Sequence, residues 1–375
     1  MGDVKRVCCF CEKWGSGGIE SFLLSVFENM DRSGLEIELA AAQLESELYL
    51  PRLERCGVPL RVLSGNTRRL AANHAAFRAL LRERRYDAVH LNIYHALSLL
   101  YARDAARAGV PVRIAHSHNN GLRRSLMRPV KLAVNGASRQ ALSGYPTALA
   151  ACSRDAAAFL FPGEAEVEIV PNGIRLDRFA FRQDARRKIR EELGLEDRFV
   201  LGEVGRLCGQ KNQMFLLDVI AALSRAREDA ALLLVGEGEL RPALEARAEA
   251  LGVSDRVIFY GTSDDVPGLL SAMDVFALPS LFEGLGIVAV EAQAAGLPVL
   301  FSDQITRQAG LTDEVRFLPI DRASPERWAD TAAEYARGHA IDRTQGAARV
   351  RDAGFTIQDT VRSFLGLYGL GGDNE

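Results

Sequence analysis

Val275-Phe276-Ala277-Leu278 runs into Pro279-Ser280-Leu281-Phe282-Glu283-Gly284-Leu285-Gly286-Ile287-Val288-Ala289-Val290-Glu291, and the passage closes at Gly296-Leu297-Pro298. Four apolar residues, a Pro-Ser turn, a glycine-bearing loop and an apolar run with no further breaker read as strand, loop and helix. From Ile287 to Ala295 only Glu291 and Gln293 are polar, so the helix is expected to be buried nearly all round. A carboxylate inside such a helix needs a partner. The two hydroxyls of a ribose would supply donors to Glu291, and an Arg or Lys within the same domain would serve equally well. Glu283 stands at the mouth of the helix, where it is placed to accept from sugar hydroxyls.

The same alternation extends outward in both directions. Val4 to Phe10, Ile37 to Ala42, Ala88 to Leu91, Val112 to Ala115 and Thr147 to Ala150 read as strands separated by helical stretches. It restarts with Phe199 to Val204, Ala231 to Val235, Val257 to Phe259, Val275 to Leu278 and Pro298 to Phe301. Two such series predict an α/β protein of two Rossmann-like, doubly wound parallel sheets. The turn Pro171-Asn172-Gly173 divides them, giving domains at 1–173 and 174–354, with a C-terminal helix over 355–370 expected to pack back on the first domain. A chain of 375 residues exceeds what one core usually supports, so a cleft between two domains is expected.

Composition narrows the function. Hydrophobic residues make up 48% and charged residues 25%, as in an ordinary globular protein. The net charge of -3 and a pI near 6.2 disfavour nucleic acid as a partner. Cys8, Cys9, Cys11, Cys56, Cys152 and Cys208 lack the paired spacing of a disulfide framework or zinc ribbon and read as small buried hydrophobes in a reducing compartment. The charged start, Met1 to Phe10, does not read as a signal peptide, and no apolar run of about 18 residues suggests a spanning helix. A cytoplasmic protein, peripheral to a membrane at most, is the expectation.

Ligands of such sheets bind beyond the carboxyl ends of the strands, and several motifs fall there. After the first strand and a short spacer comes Trp14-Gly15-Ser16-Gly17-Gly18-Ile19-Glu20, followed by apolar residues at helical spacing. Gly17 and Gly18 let the backbone approach a ligand, and the amides of the helix start favour a diphosphate. A plain tight turn explains such a loop as well, since it has neither the G-x-G-x-x-G spacing nor a P-loop lysine. In Ala115-His116-Ser117-His118-Asn119-Asn120 strand periodicity puts His116 and His118 on one face. A zinc site from His90, His116 and His118 is the metal alternative, with no carboxylate or cysteine completing it.

Taken together, these motifs carry a resemblance. Glu283 to Glu291 looks like the E-x7-E motif of retaining GT-B glycosyltransferases, especially family 4 (glycosyl transferases group 1), as in exopolysaccharide and capsular polysaccharide enzymes. Val204-Gly205-Arg206-Leu207 with Gln210-Lys211-Asn212 resembles the family's G-R-L and Q-K-N element, Leu233 to Gly238 its L-x-V-G-x-G strand, and Val170 to Ile174 its P-N-G-I-D segment, with Arg175 in place of the usual Asp. The resemblance implies that Arg206 and Lys211 hold the donor diphosphate, that His118 lies near the donor sugar, and that Gly284, Leu285, Gly286, Glu283 and Glu291 complete the donor site. Arg206, Lys211, Glu283 and His118 are the residues it gives to catalysis. It implies no metal cofactor, which agrees with the absence of a D-x-D triplet, and a front-face displacement without a protein nucleophile.

The implied function is transfer of a hexosyl unit from a UDP-sugar, with retention, to a saccharide or a polyprenyl-diphosphate-linked saccharide in polysaccharide biosynthesis. The interval 121–141 carries Arg123, Arg124, Arg128, Lys131 and Arg139 and no acidic residue, so it reads either as a contact with the inner membrane surface or as a solvated basic helix. Two rival readings remain: a nucleotide-sugar epimerase or hydrolase on the same fold, and a non-catalytic nucleotide-sugar-binding protein. A dehydrogenase is disfavoured by the first loop.

Overall fold

The computed structural model describes residues 4–15, 17–121, 127–161, 163, 165–337 and 341–370. The chain divides into two compact units, Met1–Gly173 with Ile357–Glu375, and Ile174–Thr356.

The first unit holds a sheet of seven strands in the order β3-β2-β1-β4-β5-β6-β7. These are β1 (Lys5–Trp14), β2 (Leu35–Leu44), β3 (Leu60–Val62), β4 (Ala88–Ile93), β5 (Val112–Ser117), β6 (Ala148–Ala151) and β7 (Glu168–Ile169). Every neighbouring pair is parallel. Parallel strands covered by helices on both faces lose the polar alternation of a half-exposed sheet, which is why β1 and β4 read as continuous apolar runs. Two differences from expectation bear on the site. β1 continues through Trp14, so no spacer separates strand from glycine loop, and β5 runs on through His116 and Ser117. β3 and β7 were not expected; both are short edge strands with largely exposed side chains, which leave no apolar run to read.

The helix Ile357–Leu367 belongs to this unit and packs against the helix Gly18–Asn29. Phe364 is fully buried with its ring 5.8 Å from Phe22 and 4.7 Å from His90. Thr360 Oγ1 accepts from the Gly173 amide at 2.9 Å and donates to the Pro171 carbonyl at 2.7 Å, and Lys5 Nζ donates to the Tyr368 carbonyl at 2.9 Å.

The second unit holds a six-stranded sheet, β10-β9-β8-β11-β12-β13, again parallel throughout. Its strands are β8 (Phe199–Val204), β9 (Ala230–Val235), β10 (Val257–Gly261), β11 (Val275–Leu278), β12 (Val299–Ser302) and β13 (Val315–Leu318). β8 and β9 pack Phe199, Leu201, Leu232 and Leu234 against Leu216, Ile220 and Trp328. In each sheet the first strand of the unit is flanked by strands reached in opposite directions, β1 by β2 and β4, β8 by β9 and β11. The loops leaving such a pair diverge and open a crevice at the carboxyl ends. Among the described residues no helix is long and apolar enough to cross a membrane.

Phe364→Ala is expected to destabilise the first unit by about 3–5 kcal/mol, as for other buried aromatics cut to alanine. Urea unfolding followed by circular dichroism reads it; a loss below about 1 kcal/mol would show that the C-terminal helix contributes little to that unit.

Candidate active site

In the second unit, the loops after β8 and β11 meet at the switch point. They are laced together by the Leu281 amide donating to the Gln210 carbonyl at 2.8 Å, Gln210 Nε2 to the Phe282 carbonyl at 3.1 Å, and Asn212 Nδ2 to the Pro279 carbonyl at 3.3 Å. Asn212 has φ of 59°, a left-handed conformation that asparagine tolerates, and it starts the helix Gln213–Ala226. On the other side, glycines after β9 let its loop press closely against the β8 loop. A Cβ on Gly236 would lie 2.0 Å from the Gly205 carbonyl oxygen, and one on Gly238 would lie 2.3 Å from that of Leu207. Backbone atoms cannot yield to such contacts.

These constraints bring Lys211 and Glu283 together, Nζ to Oε2 at 2.9 Å, with each side chain 15% exposed. Burial opposes the charge on Lys211, but the carboxylates of Glu283 and Glu203 outweigh it and raise the lysine pKa. Arg206 leaves the same loop with its side chain 58% exposed and lies 3.8 Å from Glu239. Gly284, Leu285 and Gly286 lead into the helix Ile287–Ala294, with Leu285 buried and Gly286 as its N-cap. Glu291 is buried one turn from that helix's end, and burial pushes its carboxyl up to about 7, against a lowering by the Arg178 charge. Gln293, the other polar residue of the helix, donates to the Ala309 carbonyl at 2.8 Å and accepts from the Leu311 amide at 2.6 Å, tying down the chain beyond β12.

Glu203, the penultimate residue of β8, was missed by sequence reasoning. It is fully buried and its carboxyl is pushed up to about 7 by burial, with Lys211 and Gln213 drawing it down and Glu283 raising it. A lone acid in an apolar strand was the available signal.

In the first unit, His118 lies just beyond β5 with Nε2 2.9 Å from Asn92 Oδ1. Asn92 Nδ2 donates to the Phe10 carbonyl at 3.3 Å, which turns Oδ1 towards the histidine. Nε2 of His118 is therefore the donor and Nδ1 carries the lone pair. Burial pushes the ring's pKa down to about 3, so it is neutral at physiological pH. His116 stacks beneath it, ring centroids 4.1 Å apart, and shares a hydrogen bond of 3.1 Å with His90, whose Nδ1 meets the Tyr368 hydroxyl at 2.9 Å. With these two imidazole nitrogens turned on each other, the histidines are not aimed at a common metal position; among the described residues no group of three or more His, Cys, Asp or Glu is arranged to hold a metal ion.

Gly17 caps the helix Gly18–Asn29, and a Cβ there would lie 2.7 Å from Glu20 Oε2, whereas Gly18 has open space. The carboxylate of Glu20 thus occupies the helix start that sequence reasoning gave to a diphosphate, and it opposes an anion at that spot. Leu122 to Leu126, with Arg123 and Arg124, lie outside the described residues.

The raised Glu291 carboxyl has a consequence for stability. The folded state holds its proton up to about pH 7 while the unfolded chain releases it near 4.5, so stability conferred at low pH is lost as pH rises through that window. The loss is on the order of 3 kcal/mol. Glu291→Gln is expected to remove most of this fall; denaturation midpoints at about pH 5 and pH 8 that drop equally in both proteins would refute it.

Residues 185–337 match the model of glycosyl transferases group 1, and residues 16–178 match that of glycosyltransferase family 4. EpsF of Bacillus subtilis (strain 168), named a glycosyltransferase, is 31% identical over 98% of this chain and 97% of its own length. The UDP-Gal:alpha-D-GlcNAc-diphosphoundecaprenol alpha-1,3-galactosyltransferase of Escherichia coli is 30% identical over 60% of this chain and 59% of its own. The structure of HepE from Anabaena in complex with UDP-glucose superposes with a TM-score of 0.77 at 20% identity, over 96% of this chain and 99% of that one. With two parallel Rossmann-like sheets, two matching family models and a full-length relative, the chain belongs to the family 4, group 1 glycosyltransferases of GT-B fold, and it is a transferase enzyme.

Proposed function

We propose that this glycosyltransferase moves a hexosyl unit from a UDP-sugar to a saccharide or polyprenyl-diphosphate-linked saccharide acceptor with retention at the anomeric carbon. The partly buried Lys211–Glu283 pair at the switch point of the second sheet carries the reading. As the bond from sugar to diphosphate breaks, negative charge grows on the leaving oxygens, and Lys211 with Arg206 stabilises it from fixed positions without a metal. The acceptor hydroxyl attacks from the face the leaving group vacates and passes its proton to a departing phosphate oxygen, so no protein nucleophile is needed. Glu283 accepts from hydroxyls of the transferred sugar and Glu291 from the ribose diol, which its burial in an apolar helix supports. His118, neutral and fixed by Asn92, offers Nδ1 as an acceptor to a sugar hydroxyl.

For the acceptor, the helix Arg128–Leu142 is the support. Met127, Val130, Leu132 and Val134 are exposed beside Arg128, Lys131 and Arg139, and an apolar face rimmed by cations suits an anionic membrane surface on which a lipid-linked acceptor is presented. The E. coli relative, whose printed name specifies a diphosphoundecaprenol acceptor, supports the same class. We accordingly place the enzyme in the cytoplasm, at the inner face of the membrane.

A thermal-shift screen against UDP, GDP, ADP and their sugars tests the donor, because a ligand that binds only the folded state raises its stability. Selective stabilisation by UDP and one UDP-sugar, lost in Glu291→Ala, is expected. In assays with that sugar, Lys211→Ala is expected to lower kcat by about 10²–10³-fold, the scale of removing one preorganised charge stabiliser. Stabilisation by GDP alone would overturn the choice of base, and no response to any nucleotide would overturn the donor site.

A further inference from the structure

The carboxyl of Glu203 lies at the heart of the loops just described, yet no step of the proposed reaction uses it. β8 directs Glu203 into the same interior as Phe199 and Leu201, and its partner across the ladder is Leu234, so its surroundings are otherwise apolar. Gln213 Nε2 donates to Oε2 at 3.3 Å and also to the Arg206 carbonyl at 2.9 Å. Oε1 of Glu203 and Oε1 of Gln213 are both buried and have no hydrogen-bond partner. Two acceptor oxygens without a donor, on side chains already in contact, are short of one hydrogen, and a proton on the Glu203 carboxyl supplies it.

The position of Lys211 gives that proton a use. A Cβ on Gly205 would lie 2.6 Å from Glu203 Oε1 and 3.3 Å from Lys211 Cε, so the missing side chain at 205 is what lets carboxyl and lysine flank the same spot. The titratable groups facing Glu203 are Lys211 and Glu283, with Gln213 as the neutral neighbour. One lysine thus stands between two carboxylates. When a diphosphate arrives on that lysine, a third anionic group enters a confined space, and the least solvated carboxylate is the one that gains most by becoming neutral.

We propose that Glu203 is a proton-exchanging positioning residue for Lys211, ionised in part when the site is empty and protonated when a nucleoside diphosphate lies on the lysine. The balance is simple: one proton moves from solvent to the Glu203 carboxylate as the diphosphate binds, and it returns to solvent when the nucleotide leaves. Glu203 does not touch the donor; it adjusts how much of the Lys211 charge is available to the phosphates. The empty-site carboxyl, held near 7, places the exchange in the physiological range. The inference rests on the donor-site reading above.

Calorimetric titration of the full-length protein with UDP, and in parallel with GDP, in two buffers of different ionisation enthalpy measures the protons taken up. At about pH 7.5 the last proton of a terminal phosphate, with a pKa near 6, has already gone, so net uptake belongs to the protein. The wild type is expected to take up a substantial fraction of a proton and to lose affinity by up to about tenfold per pH unit between pH 7 and 9. Glu203→Gln is expected to bind without uptake and with an affinity that does not fall over that range, since ionisation of Glu291 at the ribose would release a proton rather than take one up. Binding with the same uptake in both proteins, or with none in the wild type, overturns the proposal and leaves the donor site standing. Failure of both nucleotides to bind the wild type overturns the donor site, and this inference with it. Should Glu203→Gln fail to fold, the wild-type profile decides, since an affinity that does not fall between pH 8 and 9, where Glu291 is already ionised, is incompatible with the exchange.

Discussion

The second unit depends on how closely two strand-to-helix loops approach at the carboxyl end of its sheet. β8 and β11 are adjacent although the chain reaches them far apart in sequence, and the loops that follow are tied by the Leu281 amide donating to the Gln210 carbonyl, while glycine at 236 and 238 lets the loop after β9 press against the β8 loop. Backbone carbonyl oxygens of the β8 loop lie about where the side chains of residues 236 and 238 would begin, so only glycine fits at those two positions. The ion pair of Lys211 and Glu283 is a consequence of the meeting of the β8 and β11 loops. In water such a pair contributes roughly 1 kcal/mol or less; partly buried here, its main effect is to hold two long side chains in one place.

Much of this was legible in the sequence. Period and composition announced both sheets, because a parallel strand between two helical layers is apolar along its whole length. The glutamates at 283 and 291 and the cations at 206 and 211 stood out because each sits in a loop or an apolar helix where its charge is conspicuous. Partnership was harder to read. Lys211 meets Glu283 through strand order, His118 is fixed by Asn92 from a neighbouring strand, and Tyr368 reaches His90 from the other end of the chain. Nothing local marks such pairings. The edge strands β3 and β7 escaped notice for the opposite reason: being short and exposed, they need no apolar pattern. Glu20 stood in plain view at the helix start, but its closeness to Gly17 emerges only once the helix is formed.

The buried ionisable groups divide into two kinds. His90, His116 and His118 are held neutral by burial, and their nitrogens are largely occupied with one another, with Tyr368 or with Asn92. Glu203 and Glu291, by contrast, are kept near the midpoint of their titration at neutral pH. The stability such carboxyls confer at acid pH is mostly gone by neutral pH. Their presence is what a site pays in stability to be ready for a polar ligand.

The last helix of the chain lies in the first unit, and the connections on either side of the second unit run together as the bridge between Ile174 and Thr356. The second unit is thus continuous in sequence and inserted into the first. During synthesis the ribosome releases it complete, whereas the first unit waits for Phe364 and Tyr368, which follow the second unit in sequence, to cover Phe22 and His90. Until then an apolar face and a histidine ladder stand open on the nascent chain, and the helix that follows the second unit is what closes the domain begun before it.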